Sequence, residues 1–294
     1  MSNEAQIATY NGRQLAESSG GPVVGYFGKS KRGRTMAKIY LINVGANTSH
    51  GDKARSPIFS DDTWIYVPFP QERSNEEGQP FPQETLPFVR DGRSIKCHLD
   101  PDWEGLTYGD NCWKEPRGRG LLKVQKGDIL LFWALLWRTT DHSACIFKSR
   151  GSDRSWYLIG ALRVEYVLKS GEKIDVLPPG IRQRAGRNAH VYEGQVKPEE
   201  GERVFVGSCN RRYSGPFAKA VDLEVYRDGG LMHRVVRTKD GRQIQWKVPP
   251  FWNSVTRSCR AILDLADQRD RSVAMFLASR IGMKNKGFDL IDSA

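Results

Sequence analysis

No stretch of this sequence approaches the ~20 consecutive apolar residues that a membrane-crossing helix needs, so no membrane segment or membrane partner is expected. Its opening, MSNEAQIATYNGRQ, lacks the apolar centre of a secretory signal, and a cytoplasmic location is the default expectation. Cysteine is scarce and scattered. Cys97, Cys112, Cys145, Cys209 and Cys259 form no Cys-x-x-Cys pair, which argues against a disulfide framework and against a four-cysteine zinc site. A complete phosphate loop is missing too. GYFGKS (Gly25–Ser30) ends like one, but Val23 stands where the first glycine belongs, so ATP binding is not expected. No internal repeat is present. Acidic residues run short, with 34 Asp and Glu against 45 Lys and Arg for a net charge of +11. Such a surface attracts polyanions, and nucleic acid is the natural partner.

What the sequence does contain is strand-like. KIYLINV (38–44), TWIYVPF (63–69), DILLFWALLW (128–137), SACIF (143–147), SWYLIGALRVEYVL (155–168), RVFVGS (203–208) and VDLEVY (221–226) are rich in aliphatic and aromatic residues, with Gly, Pro and Asp at their margins. Asp240-Gly241 between two alternating runs signals a β-hairpin. Helices are expected mainly near the end. Val255, Cys259, Ile262, Leu263 and Ala266 fall on one helical stripe, and DRSVAMFLASRIG reads as a second helix capped by Asp270 and stopped at Gly282. A short helix is expected around Pro216–Ala220. Residues 70–120 carry many prolines and charges with little periodicity, as long functional loops do. Residues 1–35, rich in Gly, Ser and basic side chains, read as a flexible basic arm. Residues 36–294 read as one large α+β domain, with C-terminal helices from about 251. The expected architecture is a mixed, mostly antiparallel, curved sheet or open β-barrel with those helices packed on it.

Two loops concentrate chemistry. In NVGANTSHGDKARSPIF, Gly45 and Gly51 let a ligand approach the backbone. Asn43 and Ser49 offer short polar groups there, His50 an acid or base, and Arg55, followed by Ser56 in the same loop, a grip for a phosphate or carboxylate. These are also ordinary turn residues. In KCHLDPDWEGLTYGDN, Cys97, His98, Asp100, Asp102, Tyr108 and Asp110 crowd a short span. Histidine with carboxylates suits acid–base work. Cys97, between Lys96 and His98, is the better nucleophile candidate, because nearby cations lower a thiol's pKa. The spacing matches no standard metal motif, so no metal or cofactor is expected, although these side chains are compatible with one. Cys145, near His142, reads as a core thiol. Arg182, Arg184 and Arg187 in GIRQRAGRNAH, and Arg211 and Arg212 in CNRRYSG, are candidates for nucleic-acid backbone contact.

IYLINVGANTSHGDKARSPIF with WIYVPFPQE resembles the opening of the nucleotide-modification-associated domain family, third type. HLDPDWEGLTYGD resembles its second block, and GDILLFWALL, YLIGALRVEYV and RVFVGS its later strands. The resemblance spans roughly Lys38 to Leu223, and it implies a setting in systems that install or handle unusual DNA bases. The strand pattern is also similar to PUA-like barrels, which hold modified or flipped bases in a polar pocket. By position, Asn43, Ser49, His50, Arg55, Ser56, His98, Asp100, Asp102, Tyr108 and Asp110 would line such a pocket.

Two functions then compete. One is an enzyme, of hydrolytic type, acting on a substituent of an already modified base such as a 7-deazaguanine. It would use His50 or His98 as acid or base, Asp100 or Asp102 as orienting group, and Cys97 as optional nucleophile. The other is a non-catalytic reader of modified bases that recruits a nuclease or modification partner. In both, DNA and the other proteins of a modification or restriction system are the partners.

Overall fold

The computed structural model describes residues 36–46, 52–71, 78–90, 96–113, 118–140, 146–147, 153–222 and 259–292, with backbone alone at 259–261. The two most apolar runs make its centre. They are β1 (Lys38–Asn43) and β7 (Ile129–Arg138), and every β7 residue before Arg138 is buried. A strand apolar on both sides must be covered on both faces. β1 runs parallel to the first half of β7, Ile39 opposite Ile129. β2 (Ser56–Ile58) continues in parallel beside the second half. On the other side β7 pairs antiparallel with β8 (Arg154–Lys169). β8 outlasts its neighbour. Its first half also pairs with β12 (Gly215–Asp222), and its second half with β11 (Glu202–Gly207). β6 (Thr107–Asn111) forms one edge against β11, and β13 (Cys259–Asp264) the other against β1. The result is an eight-stranded mixed sheet that does not close.

Three short strands, β3 (Phe69–Gln71), β4 (Gln79–Pro80) and β5 (Lys96–His98), make a second small sheet. β9 (Val191–Tyr192) and β10 (Gln195–Val196) make a hairpin. The helices are α1 (Pro179–Ala185) and α2 (Gln268–Lys284). Alternation along β1 and β7 divides the core. Ile39, Leu41, Leu131, Trp133 and Leu135 pack on one face, under Leu277 and Ile281 of α2. Tyr40, Ile42, Leu130, Phe132 and Leu136 pack on the other, with Tyr108 and Phe205. No helix among the described residues is long and apolar enough to cross a membrane.

The α+β class, the open mixed sheet and the C-terminal helix on it match expectation. Four elements do not. Of TWIYVPF (63–69), expected as a strand, only Phe69 lies in one, β3, and Trp64 makes an isolated bridge to Ile58. The helical stripe through Cys259, Ile262 and Leu263 is the strand β13, because pairing with β1 satisfies a whole edge of backbone groups that a helix would leave open. Pro216–Ala220 is likewise extended, within β12, and Asn285 beyond α2 exchanges hydrogen bonds with Lys219 N–H and C=O at 2.9 and 3.0 Å. Ile146 and Phe147 lie in a 3₁₀ turn rather than a strand. The span 70–120, expected as loop, holds β3 to β6, whose short polar sequences carry little strand signal. The 1–35 arm, the Asp240-Gly241 hairpin, Val255 and Cys145 lie outside the described residues.

Candidate functional site

Four chain segments meet at the β6 edge of the main sheet. β5 delivers His98 at its end. The turn after it carries Asp100 and Asp102, and an antiparallel bridge from Asp102 to Thr107 leads into β6. The turn between α1 and β9 brings Asn188 and His190, and β11 opens with Glu202. Alternation along β5 sends Cys97 into the apolar cluster shared with β7 and leaves His98 partly open on the opposite side.

The imidazoles of His98 and His190 face each other, Nε2 to Nε2, at 3.1 Å. Oδ2 of Asp100 is 3.6 Å from the first nitrogen and 3.3 Å from the second. Nδ1 of His190 lies 2.6 Å from Oε2 of Glu202, whose Oε1 accepts Asn111 Nδ2 at 2.9 Å. Both Asp100 oxygens accept the Gly109 N–H, at 2.9 and 2.8 Å. Asn188 donates to Thr107 Oγ1 at 3.0 Å and accepts from the His190 backbone N–H at 3.0 Å. Phe69 stacks on His98 with centroids 5.0 Å apart. Every polar group around Asp100 and His190 therefore has a defined partner, and such a network holds its members in one geometry.

The electrostatics follow from the burial. Desolvation pushes the Asp100 carboxyl up, but the hydrogen bonds and charges of His190 and His98 overcome it, so its pKa is lowered. Burial alone would pull the His190 imidazole down. Asp100 and Glu202 on its two nitrogens overcome that and raise it to about 10. A cation is therefore strongly favoured between the two carboxylates. Chemically, the cluster can relay a proton through the partly open His98, or hold a positive ion where three lone pairs converge.

The other expected site residues scatter. Asp102 sits one turn away, accepting Glu104 N–H at 3.0 Å and Arg187 Nε at 3.2 Å, and does not touch the histidines. Cys97 does not suit a nucleophile, since burial drives its thiol up to about 12 and the flanking cations do not offset this. Tyr108 is buried against Phe132 and Phe205, and its hydroxyl donates to Asp110 at 3.0 Å. Ser56 is a staple, its Oγ accepting Val67 N–H at 3.1 Å. Arg55 is buried, its guanidinium 3.9 Å from the Trp137 ring and bonded to Ile146 O at 2.7 Å, so it does not present a grip for an outside anion. Asn43 ends β1, with its Nδ2 buried and without a hydrogen-bond partner among the described residues. Ser49 and His50 lie outside the described residues. The start of their loop does approach the cluster. Gly45, at φ 73°, packs so closely on Tyr66 that a Cβ there would lie 2.9 Å from its ring, and the Tyr66 hydroxyl donates to Asp100 O.

Among the arginines, Arg187 pairs with Asp102 and, through two bonds, with Glu104 at 3.0 and 2.6 Å. Arg184 bonds Gly207 O and pairs with Glu165, and Arg212 pairs with Asp289. Arg182 and Arg211 are exposed and make no ion pair among the described residues. The residues that sequence reading missed are His190 and Glu202. His190 sits inside the quoted GIRQRAGRNAH segment, but its significance lies in a partner 92 positions away, which no local pattern carries.

The model of a known family, nucleotide modification associated domain 3, matches residues 38–271, most of the chain and every segment that builds this cluster. The chain belongs to that family. No curated protein matches it, and no solved structure does. Within the family match lie His98, Asp100, His190 and Glu202, whereas all of α2 after its first turn extends beyond it. Membership associates this chain with nucleotide modification.

Proposed function

We propose that this family member acts in DNA base modification. It binds DNA through its basic surface, receives an extruded base that already carries a substituent, such as a 7-deazaguanine, and acts hydrolytically on that substituent at the His98–Asp100–His190 cluster. The observation that supports this is the convergence of two imidazoles, one of them the partly open His98, on a buried carboxylate, in a chain of net charge +11. His98 is the group a substrate can reach, so it relays protons. Asp100 and Glu202 orient the rings behind it. Extruding a base costs a few kcal/mol, offset by stacking and edge contacts in the receiving site. Hydration of a nitrile to an amide fits this arrangement. One water is consumed, its oxygen bonds to the nitrile carbon, and both hydrogens end on the nitrogen.

The test is nucleoside mass spectrometry of modified DNA before and after incubation with the full-length protein. A gain of one water is expected. His98→Ala and Asp100→Asn should slow it by roughly 10²–10⁴-fold, the usual size of an acid–base contribution, while Cys97→Ala leaves it within about twofold because a protonated buried thiol does no chemistry. Tight, modification-dependent binding with no mass change would instead establish the reader.

A further inference from the structure

Three potential donor atoms lie together in this chain: Nε2 of His98 is 3.1 Å from Nε2 of His190 and 3.6 Å from Oδ2 of Asp100, and the latter two are 3.3 Å apart. The point equidistant from these three corners lies about 1.9 Å from each, and a small lift off their plane gives the about 2.0–2.2 Å of metal bonds to imidazole nitrogen and carboxylate oxygen. We propose that His98, Asp100 and His190 bind one divalent first-row transition metal ion, such as Zn²⁺ or Fe²⁺.

Four observations support a built site over a chance cluster. The three residues are the group of potential ligands whose donor atoms fall together among the described residues. Glu202 Oε2, 2.6 Å from His190 Nδ1, holds the proton on that nitrogen and so turns the Nε2 lone pair inward. This is the carboxylate–histidine support that metal-bound imidazoles habitually have. Asp100 is held by the Gly109 N–H on its two oxygens, so its carboxylate cannot swing away. Asp100 and His190 are also nine-tenths buried or more, whereas His98 is partly open, leaving one approachable side. Two nitrogens and one oxygen form a donor set of intermediate softness that suits Zn²⁺ and Fe²⁺ better than Mg²⁺ or Ca²⁺. Three protein ligands leave coordination positions for water or substrate, as catalytic sites do. A metal-bound water, with its pKa lowered toward about 7, is the nucleophile a hydrolytic step needs.

This inference rests on the reading above and deepens it by naming the group that would act on the base; with the ion bound, His98 serves as a ligand through Nε2 and the bound water takes over the part given above to proton relay. Metal uptake is measured without DNA, so either can fail alone. The full-length protein is stripped with a chelator, dialysed, and titrated with Zn²⁺ and with Co²⁺ as a visible-spectrum probe, and stoichiometry is read by elemental analysis. One ion per chain is expected, with a Co²⁺ absorption band in the visible. His98→Ala, at a partly exposed position that tolerates truncation, should lose the ion. Glu202→Gln should keep the stoichiometry at saturation but weaken affinity by roughly 10–100-fold, the usual effect of removing such a support. Failure to take up an ion at micromolar metal would overturn the site in favour of a proton shared between the rings. So would full uptake by folded His98→Ala, with circular dichroism reporting the fold. If His190→Ala fails to fold, His98→Ala still decides.

Discussion

A methyl group at Gly109 would sit 2.3 Å from Cδ2 of His190 and 2.6 Å from Oδ1 of Asn188. Gly109 also donates its N–H to Asp100. One residue therefore leaves room for the histidine and anchors the carboxylate opposite it. Its backbone angles are ordinary, so the constraint is space and not conformation. Gly109→Ala should force His190 and Asn188 aside, at a cost of about 1–3 kcal/mol of stability, as overpacking usually does. It should lower the affinity of the cluster for Zn²⁺ at least tenfold. Denaturant unfolding and metal titration check the two effects separately, and a variant with unchanged affinity would show that His190 does not need its present position.

At the scale of elements, α2 is specified most locally. Ala274, Leu277 and Ile281 are its buried stripe. Asp267 caps it, accepting the N–H groups of Arg269 at 2.8 Å and Asp270 at 3.1 Å. Asp270, the expected cap, instead accepts Asp264 N–H at 2.8 Å and ties the helix back to β13. The backbone N–H groups of Asp270 and Arg269 hold the Asp267 carboxyl below its ordinary pKa. A lowered folded value means that the contribution is complete above the unfolded pKa of about 3.9 and is lost as pH falls through the folded one. Asp267→Ala should therefore lower the melting temperature at neutral pH. Asp267→Ser should recover most of the loss. The wild type and the Ala variant should converge in strong acid, which melting curves between neutral pH and pH ~2 will show.

The whole molecule carries +11, and its affinity for DNA should fall steeply with salt as counterions are released. The arginines will not share this equally. Arg187 and Arg212 already hold carboxylates within the chain, so a phosphate must compete for them. Arg182 and Arg211 have no such partner among the described residues. Removing either exposed arginine should weaken binding and flatten the salt dependence by about 0.9 in slope. Arg212→Ala should do less. Binding isotherms at several salt concentrations decide, and equal slopes in all variants would remove Arg182 and Arg211 from the interface.

Several features were determined by the sequence alone. Apolar runs rich in β-branched and aromatic residues and bounded by Gly, Pro or Asp favour a covered sheet over a buried helix, so β1, β7, β8 and β11 were legible from KIYLINV, DILLFWALLW, SWYLIGALRVEYVL and RVFVGS, and so was the stripe of α2 from its helical spacing. His98 and Asp100 were legible because they are near neighbours in a polar span. The tertiary structure decided the rest. β13 is a strand because β1 offers it an edge, although its residues also fit a helical stripe. Cys97 lost its candidacy because strand alternation turned it inward, away from the charges beside it in the chain. His190 joined the cluster through a contact with His98 across 92 positions, and it brought in Glu202, 12 positions further along. Periodicity records which face of an element is buried, but it carries nothing about which distant side chain will lie on the other side of the gap.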